Sequence, residues 1–311
     1  MSEPAIFIDN VTKIYSQSAR GIAALAGVSI CVAQGEIYGL LGRNGAGKTT
    51  LVKTLLDIVR PTTGEARILG RSSRSASTRK PVGYLPEDHR FPDYRTGDGL
   101  LHYYAGLSGM SAAQCAVRVP HLLKLTGLVD AAHRKIRTYS KGMKQRLGLA
   151  QALVHDPQVI FLDEPTDGVD PVGRAQIRDV LMTLKRDGKT IFLNSHLLSE
   201  VERICDRIGI MEKGKLVREG TLSALTKTET CFALTTHPPV DAETRQALSE
   251  MSVSVSLANG VCLVELRSDD EIDRVVDLLR ARKVSVRGIE QRRVTLEEVF
   301  MKAVENTTGA A

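Results

Sequence analysis

Short apolar runs alternate with longer amphipathic stretches along roughly the first 220 residues of the chain. The short runs have the β-branched and aromatic composition of strands. Strands are predicted near Ile6–Asp9, Val28–Ala33, Glu36–Leu41, Val82–Leu85, Val159–Leu162, Ile191–Asn194 and Ile208–Met211. Because strands that alternate with helices form parallel sheets, the pattern predicts an α/β fold with helices on both faces of the sheet.

Two parts of the chain depart from this alternation. Between about residues 96 and 155 the strand signal disappears and leucines recur at helical spacing, which predicts a helical subdomain inserted into the sheet. From about residue 222 the predicted order is strand, helix, two strands, helix, strand and helix, and Asn259–Gly260 has the sequence of a tight hairpin. This order predicts a small C-terminal α+β domain with a ferredoxin-like arrangement.

The composition is that of a globular protein. The 311 residues are 42% hydrophobic and 25% charged, and this length predicts about two domains, here 1–221 and 222–311. No apolar run approaches the roughly 18 residues of a membrane-spanning helix, and the first residues lack the pattern of a secretory signal, so we expect a cytoplasmic protein. The five cysteines form no CxxC pair and are predicted to be reduced core thiols.

The charge narrows the choice of partners only slightly. A net charge of +6 suits a nucleotide, a nucleic acid or the acidic inner face of a membrane. Aromatic residues make up 4% of the chain and tryptophan is absent, which disfavours a stacking platform for single-stranded nucleic acid.

A glycine-rich segment carries the strongest chemical signal. Residues 42–49 read GRNGAGKT, which fits G-x-x-x-x-G-K-[ST] between a predicted strand and a predicted helix. The glycines allow backbone N–H groups to surround phosphate oxygens, and the start of the helix adds positive potential. In this pattern Lys48 bridges the β- and γ-phosphates and the Thr49 hydroxyl holds Mg²⁺. The segment therefore predicts a nucleoside triphosphate site.

Two carboxylates follow a later apolar strand. Val159–Leu162 leads directly into Asp163 and Glu164, at the carboxyl end of the strand, where α/β sheets present their ligand groups. Asp163 is predicted to organise Mg²⁺ and its waters, and Glu164 to polarise an attacking water as a general base.

A third segment, YSKGMKQR at residues 139–146, precedes an amphipathic helix shortly before that strand. Ser140 is a good N-cap, so the segment alone predicts only a capped helix whose start suits an anion. Between the phosphate loop and the Asp–Glu strand, however, it resembles the Leu-Ser-Gly-Gly-Gln signature of the ATP-binding subunits of ATP-binding-cassette (ABC) transporters. The resemblance covers about residues 1–220, with its motifs in the family's order.

The resemblance implies an ABC-type P-loop NTPase cassette, with an antiparallel β subdomain and a helical insert, that hydrolyses ATP with Mg²⁺. It implies catalytic roles for Glu164, His196 and Lys48 and metal binding by Thr49, Asp163 and Glu87. Tyr15 resembles the aromatic residue that stacks on adenine, and Asp167–Asp170 the segment through which two subunits communicate. The implied nucleotide-binding residues are Tyr15, Gly42, Arg43, Asn44, Gly45, Ala46, Gly47, Lys48, Thr49, Thr50, Ser140, Gly142 and Asp170.

This sequence departs from the family pattern at two places. Glu87 stands where a glutamine is usual, which puts a negative charge near the Mg²⁺ and the water. In the signature, Ser140 and Gly142 are kept, while the residues that differ from the usual Leu, Gly and Gln are Tyr139, Lys141 and Met143. Residues 294–300 resemble the terminal helix of exporter-type subunits that work with a separately encoded membrane protein.

The resemblance further implies a head-to-tail dimer that binds two ATP molecules, each held between Lys48 of one subunit and Ser140 of the other. A polytopic permease is the expected partner, contacted through the helical insert and Glu87, and it would keep the chain on the inner face of the membrane. The C-terminal domain is expected to serve dimerisation or regulation, and no nucleic acid is expected.

Three alternatives compete with the transporter hypothesis. A soluble ABC ATPase that acts on a ribosome or another non-membrane target usually joins two cassettes, whereas this chain has one phosphate loop. A coiled-coil DNA-repair ATPase needs a long heptad region for which the span between Lys48 and Asp163 leaves no room. A regulator that binds ATP without hydrolysing it would lack Glu164 or His196, and both are present.

Overall fold

The computed structural model describes residues 3–15, 22–226, 228–252, 254–258, 261–293 and 295–308. Its contacts divide the chain into two compact units, one up to Leu222 together with the residues from Ala303 onward, and one formed by Ser223–Lys302. In the described part of the chain, no helix is both long enough and apolar enough to cross a membrane.

Two sheets form the framework of the first unit. Its strands are β1 (Ile6–Tyr15), β2 (Ile22–Val32), β3 (Ile37–Gly42), β4 (Thr63–Ile68), β5 (Arg71–Ser72), β6 (Val82–Leu85), β7 (Val159–Asp163), β8 (Thr190–Ser195), β9 (Arg207–Glu212) and β10 (Lys215–Thr221). Its α-helices are α1 (Lys48–Leu55), α2 (Gly97–Leu107), α3 (Ala112–Leu125), α4 (Lys141–Ala152), α5 (Pro171–Arg186) and α6 (Leu198–Ile204). One sheet has the order β10-β9-β3-β8-β7-β6, and the other, which is antiparallel, has the order β2-β1-β4-β5.

The larger sheet is parallel apart from the pair of β9 with β10. Every residue of β3, β7 and β8 is buried, as expected for strands that are covered on both faces. Phe192 of β8 packs against Tyr38 and Phe161 with ring centroids 5.4 and 5.6 Å away. Since these three strands are parallel neighbours, their carboxyl ends meet at one edge, where Asp163 lies opposite Asn194.

The residue pattern alone predicts one parallel sheet, and this prediction is wrong for β1 and β2. These strands pair antiparallel in the smaller sheet, with Ile8 opposite Ile30. The chain from Tyr15 to Ile22 is too short for a parallel crossover, which takes a dozen or more residues. The antiparallel subdomain implied by the resemblance therefore forms. Strands β4, β5 and β10 have no continuous apolar run and were outside the predicted set.

Helices α2, α3 and α4 lie between β6 and β7 in the chain, which confirms the helical insert. Each begins at a capping hydroxyl group: Thr96 accepts a hydrogen bond from Gly99 N, Ser111 from Gln114 N and Ser140 from Met143 N. These caps satisfy N–H groups that have no partner inside the helix and fix where each helix starts.

All five cysteines are free, and four of them are buried. The prediction of core thiols is wrong for Cys31, which is exposed. It lies on β2 between the buried residues Ile30 and Val32, so strand alternation turns its side chain to the opposite face.

The second unit contains another antiparallel sheet, with the order β12-β13-β11-β14. After the short helix α7 (Leu222–Leu225), the remaining elements are β11 (Thr228–His237), α8 (Ala242–Met251), β12 (Ser254–Ala258), β13 (Val261–Glu265), α9 (Ile272–Ala281), β14 (Ser285–Arg293) and α10 (Leu296–Thr308). The residues of α10 from Ala303 onward are grouped with the first unit. Leu234, Leu248, Val264 and Leu279 are buried in its core. The predicted turn at Asn259–Gly260 lies outside the described residues, and the assignment as a separate ferredoxin-like domain stays a prediction.

Candidate functional site

The glycine-rich segment joins the end of β3 to the start of α1. Gly47 is the N-cap residue of α1, with a φ of 106°, and a Cβ atom at this position would collide with the Ala24 carbonyl group. Gly45 also has a positive φ, of 83°. Glycine at both positions allows the loop to turn tightly ahead of the helix, so that backbone amides and the helix dipole favour an anion at this end.

Lys48 is the first residue of α1 and is 7% exposed. Its ammonium group donates a hydrogen bond of 2.7 Å to the Gly42 carbonyl. Burial lowers the pKa of Lys48, while the nearby carboxylates of Glu164, Asp163 and Glu87 act in the opposite direction. The lysine is thus held at the base of the loop, beside the carboxylates that follow β7.

Asp163 ends β7 and is 1% exposed. Its Oδ1 atom accepts a hydrogen bond of 3.2 Å from Asn194 Nδ2, whereas its buried Oδ2 atom has no hydrogen-bond partner among the described residues. Leaving such an oxygen unpaired is costly, and carboxylate oxygen is a ligand that Mg²⁺ prefers. The described residues contain no group of three or more His, Cys, Asp or Glu side chains suited to a metal ion. The Oδ2 atom of Asp163 thus fits a Mg²⁺ ion whose other ligands are phosphate and water oxygens and the two further predicted protein ligands, Thr49 and Glu87.

Glu164 and His196 face each other at the ends of β7 and β8. The Nδ1 atom of His196 lies 2.8 Å from Oε2 of Glu164, and the His196 backbone N–H donates to the same oxygen over 3.3 Å. Glu164 is 6% exposed, and burial raises the pKa of its carboxyl group although the contacts with His196 and Lys48 oppose this. The raised pKa makes this carboxylate a stronger base than an exposed glutamate.

The backbone of Glu164 is unusual, with a φ of 50° in a residue other than glycine. Its N–H group donates a hydrogen bond of 3.0 Å to the Asn194 carbonyl, which connects it to β8. The turn after β7 is thus fixed in a conformation that the chain does not favour by itself, and such conformations persist where the surroundings hold them.

These groups line one cleft of about 480 Å³. Its lining residues are Ala24, Arg43, Asn44, Gly45, Ala46, Gly47, Lys48, Thr49, Thr50, Glu87, Asp163, Glu164, Asp167 and His196. Burial raises the pKa of the nearby Tyr84 to about 12, and the charges of Asp163 and Glu87 contribute. The cleft thus combines a phosphate-binding loop, a lysine, an unpaired carboxylate oxygen and a buried base.

Two lining residues were not among the predicted catalytic, nucleotide-binding or metal-binding residues. Ala24 comes from β2, and a small apolar residue on a strand carries no sequence signal for a site. Asp167 lies in the segment that the resemblance assigns to subunit communication, and it also faces this cleft.

Five predicted residues lie outside the cleft lining, and their roles, like those of the residues inside it, stay predictions. Gly42 ends β3, and its carbonyl accepts the hydrogen bond from Lys48. Tyr15 is 41% exposed, and the Lys13 ammonium lies 5.0 Å from the centre of its ring. The Ser140 and Asp170 side chains cap α4 and α5. Gly142 lies beside Val169, which a Cβ atom on the glycine would approach to 3.3 Å.

Tyr139, a departure from the family signature, has a structural explanation. Its side chain is 6% exposed, and its hydroxyl donates a hydrogen bond of 2.7 Å to the Ala131 carbonyl. Burial raises the pKa of this phenol. The tyrosine thus connects the start of α4 to the segment before it, which contains Ala131.

Comparison with known proteins agrees with this arrangement. Residues 25–167 match the ABC transporter family. An uncharacterized ABC transporter ATP-binding protein of Nostoc sp. is 50% identical over 206 residues, which cover 66% of this chain and 62% of that protein. The Nod factor export ATP-binding protein I of Paraburkholderia xenovorans is 43% identical over 232 residues, which cover 74% of this chain and 75% of the relative.

A solved structure gives the same result for the fold. A dimeric ATP-binding cassette in a post-hydrolysis state, bound to ADP and Pi, superposes with a TM-score of 0.64 and 26% identity, over 70% of this chain and 98% of the cassette. The expected cassette fold and ATPase activity are confirmed, in preference to the rival hypotheses. By its sequence relatives, its fold and its cleft, the chain belongs to the family of ABC transporter ATP-binding subunits.

Proposed function

We propose that this chain is the ATP-hydrolysing subunit of an ABC exporter and that Glu164 and His196 form its catalytic pair. The observation that carries the proposal is the 2.8 Å contact between the His196 ring and the buried Glu164 carboxylate, in a cleft that also contains Lys48 and Asp163. Such a pair needs an attacking water and a phosphate to act on, and the phosphate loop lines the same cleft.

Each group has a separate task in hydrolysis. The loop amides and Lys48 bind the β- and γ-phosphates. Thr49, Asp163 and Glu87 would hold Mg²⁺, which would neutralise charge on these phosphates. Glu164 takes the proton of the attacking water on a carboxylate oxygen, and its burial favours this uptake. His196 holds that carboxylate through its ring and its backbone N–H group.

The active form in this proposal is a head-to-tail dimer. Ser140, Gly142 and Asp170 do not line the cleft of their own chain, as is expected of residues that act on the nucleotide of a second subunit. The likeness to a dimeric cassette bound to ADP and Pi supports this arrangement. Tyr15 is assigned to the adenine ring.

The partner in this proposal is a separate permease, which keeps the chain at the membrane. The name of the Nod factor export relative supports export, and the helical insert together with Glu87 is the proposed contact. Residues 1–221 form the ATP-binding domain and residues 222–311 an accessory domain for dimerisation or regulation.

The test uses Glu164→Gln, which keeps the shape of the side chain but removes the base. The tagged full chain is purified from solubilised native membranes with and without Mg-ATP, and the co-purifying proteins are identified by mass spectrometry. We expect lost hydrolysis, retained ATP binding and a polytopic membrane protein that stays bound with Mg-ATP. Glu65→Gln is the matched control, since Glu65 is exposed on β4 and pairs with Arg67. Recovery of ribosomal or only soluble proteins would contradict the transport role.

A further inference from the structure

One face of α4 contacts the turn that carries Glu164. Lys141 and Gln145 are four residues apart, so their side chains leave the helix on the same side. The Lys141 Nζ atom lies 2.9 Å from Oδ2 of Asp167, and Gln145 Nε2 donates a hydrogen bond of 3.3 Å to the Glu164 carbonyl. The two contacts thus reach both ends of the turn Glu164–Asp167.

The turn depends on these outside contacts. Within the turn, Asp167 N donates a hydrogen bond of 3.1 Å to the Glu164 carbonyl. The same carbonyl also accepts the hydrogen bond from Gln145, so it has two donors. Gln145 is 5% exposed, and a hydrogen bond at a buried position costs more to lose than one at the surface. Because Glu164 has a positive φ, we expect the turn to shift toward ordinary backbone geometry when these contacts are removed.

The contact with Lys141 is specific in geometry. A Cβ atom on Gly168 would collide with the Lys141 ammonium, so the glycine leaves the space through which the lysine reaches Asp167. The hydrogen bond from Lys141 is the largest influence on Asp167 and lowers the pKa of its carboxyl group. Asp167 lines the same cleft as Glu164 and His196, so the ion pair connects α4 directly to the ATP site.

We propose that Lys141 and Gln145 are positioning residues that fix the Glu164 carboxylate against His196 and so connect α4 to ATP hydrolysis. The inference rests on the proposed role of Glu164 as the base. Helix α4 belongs to the helical insert and is capped by Ser140. A movement of this helix would therefore shift Glu164 through the contacts of Lys141 and Gln145. Lys141 stands where the family signature has glycine, and a glycine could not form the ion pair with Asp167.

The test measures kcat and KM for Mg-ATP of the full chain. We expect Lys141→Ala to lower kcat about three- to tenfold with little change in KM, because the base is displaced while phosphate binding is intact. Lys141→Arg should restore kcat to within about twofold, since arginine also reaches a carboxylate. In a double-mutant cycle, Asp167→Asn should add little to Lys141→Ala.

Gln145→Leu, which keeps the size but removes the donor, should lower kcat in the same way. The control is Lys144→Ala, which removes a lysine of the same helix that pairs with Asp93 instead. Unchanged kcat in Lys141→Ala, or additive effects in the cycle, would overturn the proposal even if Gln145→Leu fails to fold. If Glu164→Gln hydrolyses ATP normally, the proposed function fails; if Glu164→Gln is inactive while Lys141→Ala matches the wild type, only this inference fails.

Discussion

A single carboxylate oxygen, Oε2 of Glu164, lies 2.8 Å from the His196 ring nitrogen Nδ1 and also accepts from the His196 backbone N–H at 3.3 Å. The backbone contact fixes the distance between the two strand ends, and the ring contact fixes the direction of the carboxylate. Only the ring contact depends on which side chain residue 196 carries. The two contributions are therefore separable by mutation.

His196→Ala removes the ring contact and keeps the backbone contact. We expect the kcat for ATP hydrolysis to fall about 100-fold, which is typical for loss of one group that orients a general base, while the affinity for ATP changes less. His102→Ala is the control, because His102 is a half-exposed residue of α2 that contacts Asp98. Equal activity of His196→Ala and His102→Ala would contradict a catalytic role for His196.

The pKa of Glu164 predicts how stability depends on pH. Burial raises this pKa above its usual value of 4.5, so the folded chain holds the proton more tightly than the unfolded chain does. Protonated Glu164 therefore stabilises the folded chain. This contribution is complete below the pKa of the unfolded chain and is lost as the pH rises through the higher pKa of the folded chain. Glu164→Gln does not ionise, so it avoids the buried negative charge that wild type acquires at high pH. The Tm of the variant minus the Tm of wild type should therefore be larger at about pH 8 than at about pH 4.5.

This comparison is made without nucleotide, by thermal unfolding at both pH values. Glu65→Gln again provides the control, since Glu65 is exposed and its replacement should give no trend of this kind. A Tm difference for Glu164→Gln that is the same at both pH values would show that burial does not raise the pKa of Glu164.

The phosphate loop and the Asp163–Glu164 pair could be predicted because local spacing alone specifies them. Both follow an apolar strand, and strands that are buried on two faces are easily recognised in a sequence. The catalytic role of His196 was implied only by the resemblance, and its contact with Glu164 was not predicted, since it joins residues 32 apart in the chain.

Other features depend on tertiary contacts that a sequence does not display. Ala24 lines the cleft because β2 passes beside the phosphate loop. There the Ala24 carbonyl leaves no space for a side chain on Gly47. The hydroxyl of Tyr139, which the usual leucine of the signature lacks, has its partner in the Ala131 carbonyl. The residue pattern alone missed the separate sheet that contains β1, because strand composition is similar in parallel and antiparallel sheets, and only the resemblance implied it.

Asp163→Asn tests the metal site. The variant exchanges a buried carboxylate, one of whose oxygens has no hydrogen-bond partner in the described part of the chain, for a neutral group that binds Mg²⁺ weakly. We expect Mg²⁺-dependent hydrolysis to fall by about 100-fold or more, while ATP binding in the presence of EDTA is retained. Asp88→Asn is the control, because Asp88 is an exposed residue that lies near Arg90. Normal Mg²⁺ dependence in Asp163→Asn would exclude this aspartate as a ligand.

Tyr139→Phe tests whether the altered signature residue is structural. The variant removes the hydroxyl from a buried contact with the Ala131 carbonyl and should lower the free energy of unfolding by about 1 kcal/mol. ATP hydrolysis should stay within about twofold of wild type at a temperature where both fold. Tyr103→Phe is the control, since Tyr103 is 48% exposed. A large loss of kcat without a loss of stability would assign Tyr139 to the reaction instead.

Gly47 should be the least replaceable glycine of the phosphate loop. Gly45, Gly47 and Gly109 all have positive φ, so alanine costs each about 1–3 kcal/mol in backbone strain. Only Gly47 also lacks space, because its Cβ atom would collide with the Ala24 carbonyl, whereas no atom lies within 4 Å of the Cβ position at Gly45 or Gly109. We therefore expect Gly47→Ala to lose more stability in urea unfolding than Gly109→Ala, and to lose ATP binding as well. Equal stability of these two variants would show that the loop can move away from Ala24.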